Sequence, residues 1–171
     1  MVEVTPGGGE IIGDSADRTV ELLAELDAVH ATIARFAGGR DGADLHVHRE
    51  HADMFVVLEG TLTVKTADGD LEVSGPNVVV VPPMVVHGFA NTSADDVWYV
   101  NLHVPGCGFG DYMRGLRDGV KVPFDQHEPP ADGAGVRPAS EIAMGDERVT
   151  LAPDGTVTVG EWLRIHPRPA A

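Results

Sequence analysis

Three histidines and one aspartate hold the most chemistry in this sequence. His46 and His48 flank Val47, Asp53 follows after four residues, and His87 closes the run Pro82-Pro83-Met84-Val85-Val86-His87. Imidazole nitrogens and a carboxylate are donors for one divalent transition metal, Fe, Ni, Co, Mn, Cu or Zn. Residues two apart on a strand point the same way, so His46 and His48 can offer both rings to one point. The expected ligands are His46, His48, Asp53 and His87. Asp53 has a second reading, as an acceptor that orients a ligand imidazole.

These residues need strands to position them. The apolar run Phe55 to Leu58 predicts a strand with Asp53 at its head, after a bend at Arg49 to Ala52. Val78 to Val81 and Met84 to Phe89 read as two more strands, parted by Pro82-Pro83, which cannot donate to a ladder. Val29 to Phe36, Thr61 to Thr66, Leu71 to Ser74 and Val97 to His103 read as further strands, with Asp68-Gly69 as a hairpin signal. Thr19 to Glu25 is strand-like, although its Leu, Ala and Glu also favour a helix. Phe109 to Leu116 has helical spacing, Pro138 to Met144 suggests another short helix, and Val149 to Leu151 with Thr156 to Glu161 suggests a last hairpin. The expected division is a flexible arm over 1–18, a β-barrel over 19–104, and helices with a hairpin packed on it over 105–171.

The spacing resembles the cupin superfamily, whose first motif reads G-(X)5-H-X-H-(X)3,4-E-(X)6-G. His46, His48 and Gly60 match it, Asp53 stands where the family has Glu, and Arg40 stands at the upstream glycine. The second motif reads G-(X)5-P-X-G-(X)2-H-(X)3-N. Pro82, His87 and Asn91 match, Met84 replaces a glycine, and Gly75 falls one residue early. The resemblance spans about Thr19 to His103. It implies an all-β fold, a double-stranded β-helix or jelly-roll barrel with short helices after it, and a homodimer. Single-barrel members similar to this chain include quercetinase-like dioxygenases acting on flavonols or related enol-bearing rings. In that scheme Asp53 is both ligand and the base that takes the substrate hydroxyl proton. The resemblance thus implies a metal-dependent enzyme, first a dioxygenase acting on a small aromatic or enol-bearing, flavonol-like substrate; the alternatives are a non-redox isomerase or polyketide cyclase at the same site, and a non-catalytic small-ligand-binding barrel.

Phe36, Phe55, Val57, Val85 and Phe89 are candidates for the apolar wall of a substrate pocket, each equally readable as plain core. Val97 to His103 alternates, so Asn101 and His103 share a face that can look into the barrel and touch a small-molecule substrate. Tyr112 and Met113 either close the barrel mouth or pack outside it. His51 and Glu50 fall in the bend and read as solvated, as do His127, Arg40 and Arg49; the two arginines could otherwise hold a carboxylate or phenolate. Cys107, the single cysteine, has no evident base partner and offers no disulfide. The chain of 171 residues has a net charge of -15, which disfavours nucleic acid and anionic membrane surfaces. The absence of a signal-like or membrane-length apolar run makes the cytoplasm the expected location.

Overall fold

The computed structural model describes residues 2–5, 7–145, 149–160 and 163–166. Strands run in the order β1 (Val2–Val4), β2 (Glu10–Ser15), β3 (Arg18–Leu26), β4 (Val29–Phe36), β5 (Ala52–Glu59), β6 (Thr61–Thr66), β7 (Leu71–Ser74), β8 (Asn77–Val81), β9 (His87–Ala90) and β10 (Val97–Val104). Helix α1 (Phe109–Asp118) follows, then β11 (Ala143–Gly145), β12 (Val149–Leu151), β13 (Val157–Val159) and β14 (Leu163–Ile165). Three sheets result. The largest is antiparallel and ordered β11-β8-β5-β10-β4-β3-β2; a three-stranded sheet, β7-β6-β9, faces it to form the barrel; β1-β14-β13-β12 makes a third.

The large sheet is buried on both faces, which explains why its central strands are apolar almost throughout. On β5 and β10, Phe55, Val57 and Tyr99 turn into the barrel interior with Leu62, Val64, Val79 and Phe36. Met54, Val56, Val100 and Leu102 turn the other way, against Val157, Val159 and Ile165. The C-terminal strands are therefore a cover for the barrel's outer face. The β5–β6 turn needs Gly60: its φ is 78°, and an added Cβ would lie 2.3 Å from the Asp96 carbonyl oxygen. That requirement accounts for the last glycine of the first motif.

The sequence expectations differ from this fold in several places. Residues 10–15, expected in the flexible arm, pair with β3 as β2. Upstream of them, the Gly7 and Gly9 amides donate to the buried Glu21 carboxylate at 2.6 and 2.8 Å. Thr19 to Glu25, by contrast, lies within β3 as its strand reading expects, not in a helix, and β3 is internal to the sheet. Pro138 to Met144 yields only a 3-10 turn, Ala139–Glu141, before β11 pairs with β8. Helix α1 is held over β2 and β3 by Arg114, whose guanidinium reaches Glu25 at 2.8 Å and Glu10 at 2.9 Å. Of the expected regions, Met1, Pro6 and residues 146–148, 161–162 and 167–171 lie outside the described residues.

Candidate metal centre

His46 and His87 sit opposite each other in a short antiparallel bridge. The His46 amide donates to the His87 carbonyl at 2.8 Å and the His87 amide returns the bond at 3.0 Å. That exchange brings two histidines forty-one positions apart into register. The Met84 amide donates to the His48 carbonyl at 2.7 Å, tying the 82–86 loop to the first motif. Asp53 enters from β5, beside Val81 on β8 and His103 on β10.

All four side chains are buried, and their donor atoms lie within 4.8 Å of one another. His46 Nε2 is 3.1 Å from His48 Nε2, and Asp53 Oδ2 is 3.5 Å from both His48 Nε2 and His87 Nε2. Ligands bound at about 2.1 Å around one ion stand roughly 3.0–3.4 Å apart at octahedral or tetrahedral angles. The 3.1 Å separation falls within that range and the two of 3.5 Å lie just above it.

The other nitrogen of each ring fixes its tautomer. His46 Nδ1 donates to the Asp44 carbonyl at 2.6 Å, His87 Nδ1 to the Val85 carbonyl at 3.0 Å, and His48 Nδ1 to the Asp125 carbonyl. Each Nε2 therefore turns a lone pair inward. Two lone pairs facing each other at 3.1 Å repel unless a proton or a cation lies between them. His87 Nε2 is moreover buried without a hydrogen-bond partner. Burial, then the neighbouring His87, lowers the His46 pKa to about 4, which makes a proton a poor occupant near neutrality. Burial opposes ionisation of Asp53, but His103, then His48 and His51, outweigh it and hold the carboxyl well below its ordinary range. Inward lone pairs beside an ionised carboxylate fit a divalent transition ion.

A second tier stands behind Asp53. His103 Nδ1 lies 2.8 Å from Asp53 Oδ1 and donates to His51 Nε2 at 3.0 Å. His51 in turn donates from Nδ1 to Asp125 Oδ2 at 2.9 Å. The Asp125 carboxylate also accepts the Glu50 amide at 2.7 Å and the Arg49 amide at 3.0 Å, so one residue organises the whole bend. These bonds lower the Asp125 pKa despite its desolvation. His51, expected to be solvated, is fully buried because this chain of bonds needs it inside. Asp125 carries no local signal in the sequence; it arrives from a loop between α1 and β11.

A profile of the family described as "Cupin domain" matches residues 32–103. Residues 32–103 form a cupin domain. Among solved structures the chain is similar to KdgF from Halomonas sp., with a TM-score of 0.53 and 18% identity over 61% of this chain and 94% of that one. It is also similar to an RmlC-like cupin from Shewanella frigidimarina NCIMB 400, with a TM-score of 0.51 and 22% identity over 59% of this chain and 87% of that one. No curated protein matches the sequence.

The cupin barrel opens beside the four residues as a cavity of about 350 Å³. Phe36, Phe89, Asn101 and His103 line it, as do Tyr112 and Met113 from α1, which thus lie over the barrel mouth. Phe55, Val57 and Val85, expected as pocket wall, do not line it; they fill the solid part of the interior. Tyr99, which alternation puts on the face of Asn101 and His103, lines it too, as does Phe109, for which the sequence offers no signal; Arg40, read as solvated, is set at the cavity with Arg18. Asn91, the last residue of the second motif, is a clamp: its Nδ2 donates to the carbonyls of Phe36, Ala37 and Asp95 at 3.0, 3.1 and 2.7 Å. His127 is half-buried, bridged by its backbone to Val47 and through Nε2 to Asp125 Oδ1 at 3.0 Å, outside the cluster. Among the described residues no helix is long and apolar enough to cross a membrane.

Proposed function

We propose that this cupin domain is a metal-dependent enzyme that moves protons on a small substrate, an isomerase- or cyclase-type reaction without net redox change. A divalent transition ion held by His46, His48, His87 and Asp53 would supply a Lewis acid for one substrate oxygen. The observation that carries this reading is His103. Its Nδ1–H is committed towards Asp53 and His51, so Nε2 bears the lone pair. That Nε2 is buried without a partner while the ring lines the cavity. Burial also lowers the His103 pKa, which leaves the imidazole neutral and ready to accept a proton. Asn101, two residues earlier on the same face, has a buried Nδ2 that likewise lacks a partner. Acceptor and donor side by side suit a substrate with neighbouring hydroxyl and carbonyl oxygens. In this reading Asp53 stays ionised as ligand and as the group that orients His103, and His103 is the base.

A second reading draws on the aromatic wall. Phe36, Phe89, Phe109 and Tyr112 suit a flat ring, and so a dioxygenase acting on an aromatic or enol-bearing, flavonol-like substrate. One experiment separates the readings. Protein reloaded with iron, nickel, cobalt, manganese or zinc is incubated in deuterated buffer with hydroxycarbonyl compounds, catechols and flavonols. Carbon-bound proton exchange is followed by NMR, and dissolved oxygen by electrode. The expected result is exchange without oxygen uptake, lost in His103→Ala at unchanged metal content. Oxygen uptake would overturn it for the dioxygenase. Neither signal, with a small molecule retained through purification, would mark a binding protein.

A further inference from the structure

The outer end of the cavity is built differently from its metal end. Arg18 of β3 and Arg40 of the loop before the first motif both line it, in a chain with 12 Lys and Arg against 27 Asp and Glu. Among the described residues no carboxylate lies within ion-pairing distance of Arg18. Arg40 meets Asp17 through Nη1 at 3.0 Å, but its Nε is buried without a partner. Gly13 on β2 makes room for the first guanidinium: a Cβ there would lie 3.0 Å from Arg18 Nη2.

The acids of the same cavity do not neutralise this pair. The Asp41 side chain is 88% exposed and turned to Lys65 Nζ at 3.3 Å. Asp44 is exposed and serves the site through its backbone carbonyl. Asp53 is enclosed by imidazoles. Tyr99, between β4 and β5 in the sheet, feels Arg18, Arg40 and Asp53, and burial pushes its hydroxyl pKa up, so it remains a neutral donor. Guanidinium groups with free N–H edges inside a concave site recognise oxyanions, because their fork matches two oxygens at once. A volume near 350 Å³ is at the low end for ligand pockets and admits one small molecule.

We propose that Arg18 and Arg40 are an oxyanion subsite, so that the substrate is a small organic acid whose carboxylate or phosphate docks there while its reacting end meets Asn101 and His103. The position of the reacting end rests on the function proposed above; the subsite does not. The test uses three probes of one shape: 4-hydroxybenzoate, 4-hydroxyphenyl phosphate and the neutral 4-hydroxybenzamide. Their affinities are measured by calorimetry on metal-loaded protein. At least one acid should bind about tenfold or more tightly than the amide. Arg18→Gln and Arg40→Gln should each remove most of that preference at unchanged metal content, and Arg18→Lys should keep part of it. Asp17→Asn, which frees Arg40 from its counter-charge, should strengthen acid binding. Whichever acid responds identifies the oxyanion.

Acids no tighter than the amide, including no binding by any probe, would overturn the subsite, as would a preference that survives the double Gln variant. Acid preference in protein that takes up no metal would leave the subsite standing and remove the enzymatic reading. Metal uptake and turnover without acid preference would do the reverse.

Discussion

Along β10, Val100 and Leu102 turn outward into an apolar layer shared with Val157, Val159 and Ile165, whereas Tyr99, Asn101 and His103 turn inward to the cavity. The strand is the same and the backbone hydrogen bonds are the same; the two faces differ only in side chains. The outer cluster is wholly apolar. The inner face and the residues around it carry four buried polar atoms without partners: His87 Nε2, Asn101 Nδ2, His103 Nε2 and, at the outer end of the cavity, Arg40 Nε. Each such atom costs about 1–3 kcal/mol in a folded protein. A fully buried aliphatic side chain contributes a similar amount in the other direction. The outer face thus offsets what the inner face spends on reactivity, and the residues of β12 to β14 matter to the site without touching it.

The contrast is broken most severely at a ligand. His87→Ala should reduce metal content from roughly one ion per chain to below about a tenth, because one of four donors is lost and the His46 bridge partner no longer supplies an imidazole. Elemental analysis after dialysis reads the loss. The folded state should persist, since a backbone bridge and not the ring holds β9 to the first motif. Full metal content in this variant would mean that the ion, if bound, sits elsewhere.

The opposite substitution is Leu102→Ala, on the outer face. It should cost about 3 kcal/mol in urea unfolding, within the usual 2–5 kcal/mol for a buried Leu, and leave metal stoichiometry unchanged. A variant that loses metal while keeping its stability would show that the two faces are coupled, and the division of labour would fail.

What the sequence made legible follows the same division. The His46-Val47-His48 spacing, Asp53, Gly60 and His87 are local patterns, and the strands that bear them announce themselves by apolar runs. Alternation told which residues of β5 and β10 share a face. It could not tell how far along the barrel axis each one lies, so Phe55 and Val57 looked as much like pocket wall as Phe36 and Phe89, although they fill the solid half. His51 was hidden for another reason. Its burial depends on Asp125, seventy-four positions away, whose loop carries no periodic signal. Arg18 was illegible and Arg40 only an open alternative, because an arginine in solvent and one at a cavity read alike until the fold places them.

Met84 offers the finest probe of the inner side. It occupies the position at which the second motif has glycine, and its φ of 65° lies in the left-handed region that a side chain disfavours. Its amide braces the His48 carbonyl at 2.7 Å and its carbonyl accepts the Arg137 amide at 2.9 Å, so the surrounding bonds hold the conformation against its cost. Strain of this kind amounts to about 1–2 kcal/mol for a non-glycine residue. Met84→Gly removes it, but also gives the unfolded chain more freedom, worth up to about 1 kcal/mol. The net expectation is a small gain, under about 1 kcal/mol, in urea unfolding, with metal affinity unchanged within a factor of about two, since the brace is backbone and survives the substitution. A stability loss would show that the half-buried Met84 side chain contributes more by packing than its backbone costs. Weaker metal binding would show that the loop's rigidity, and not its hydrogen bond alone, keeps His48 in place.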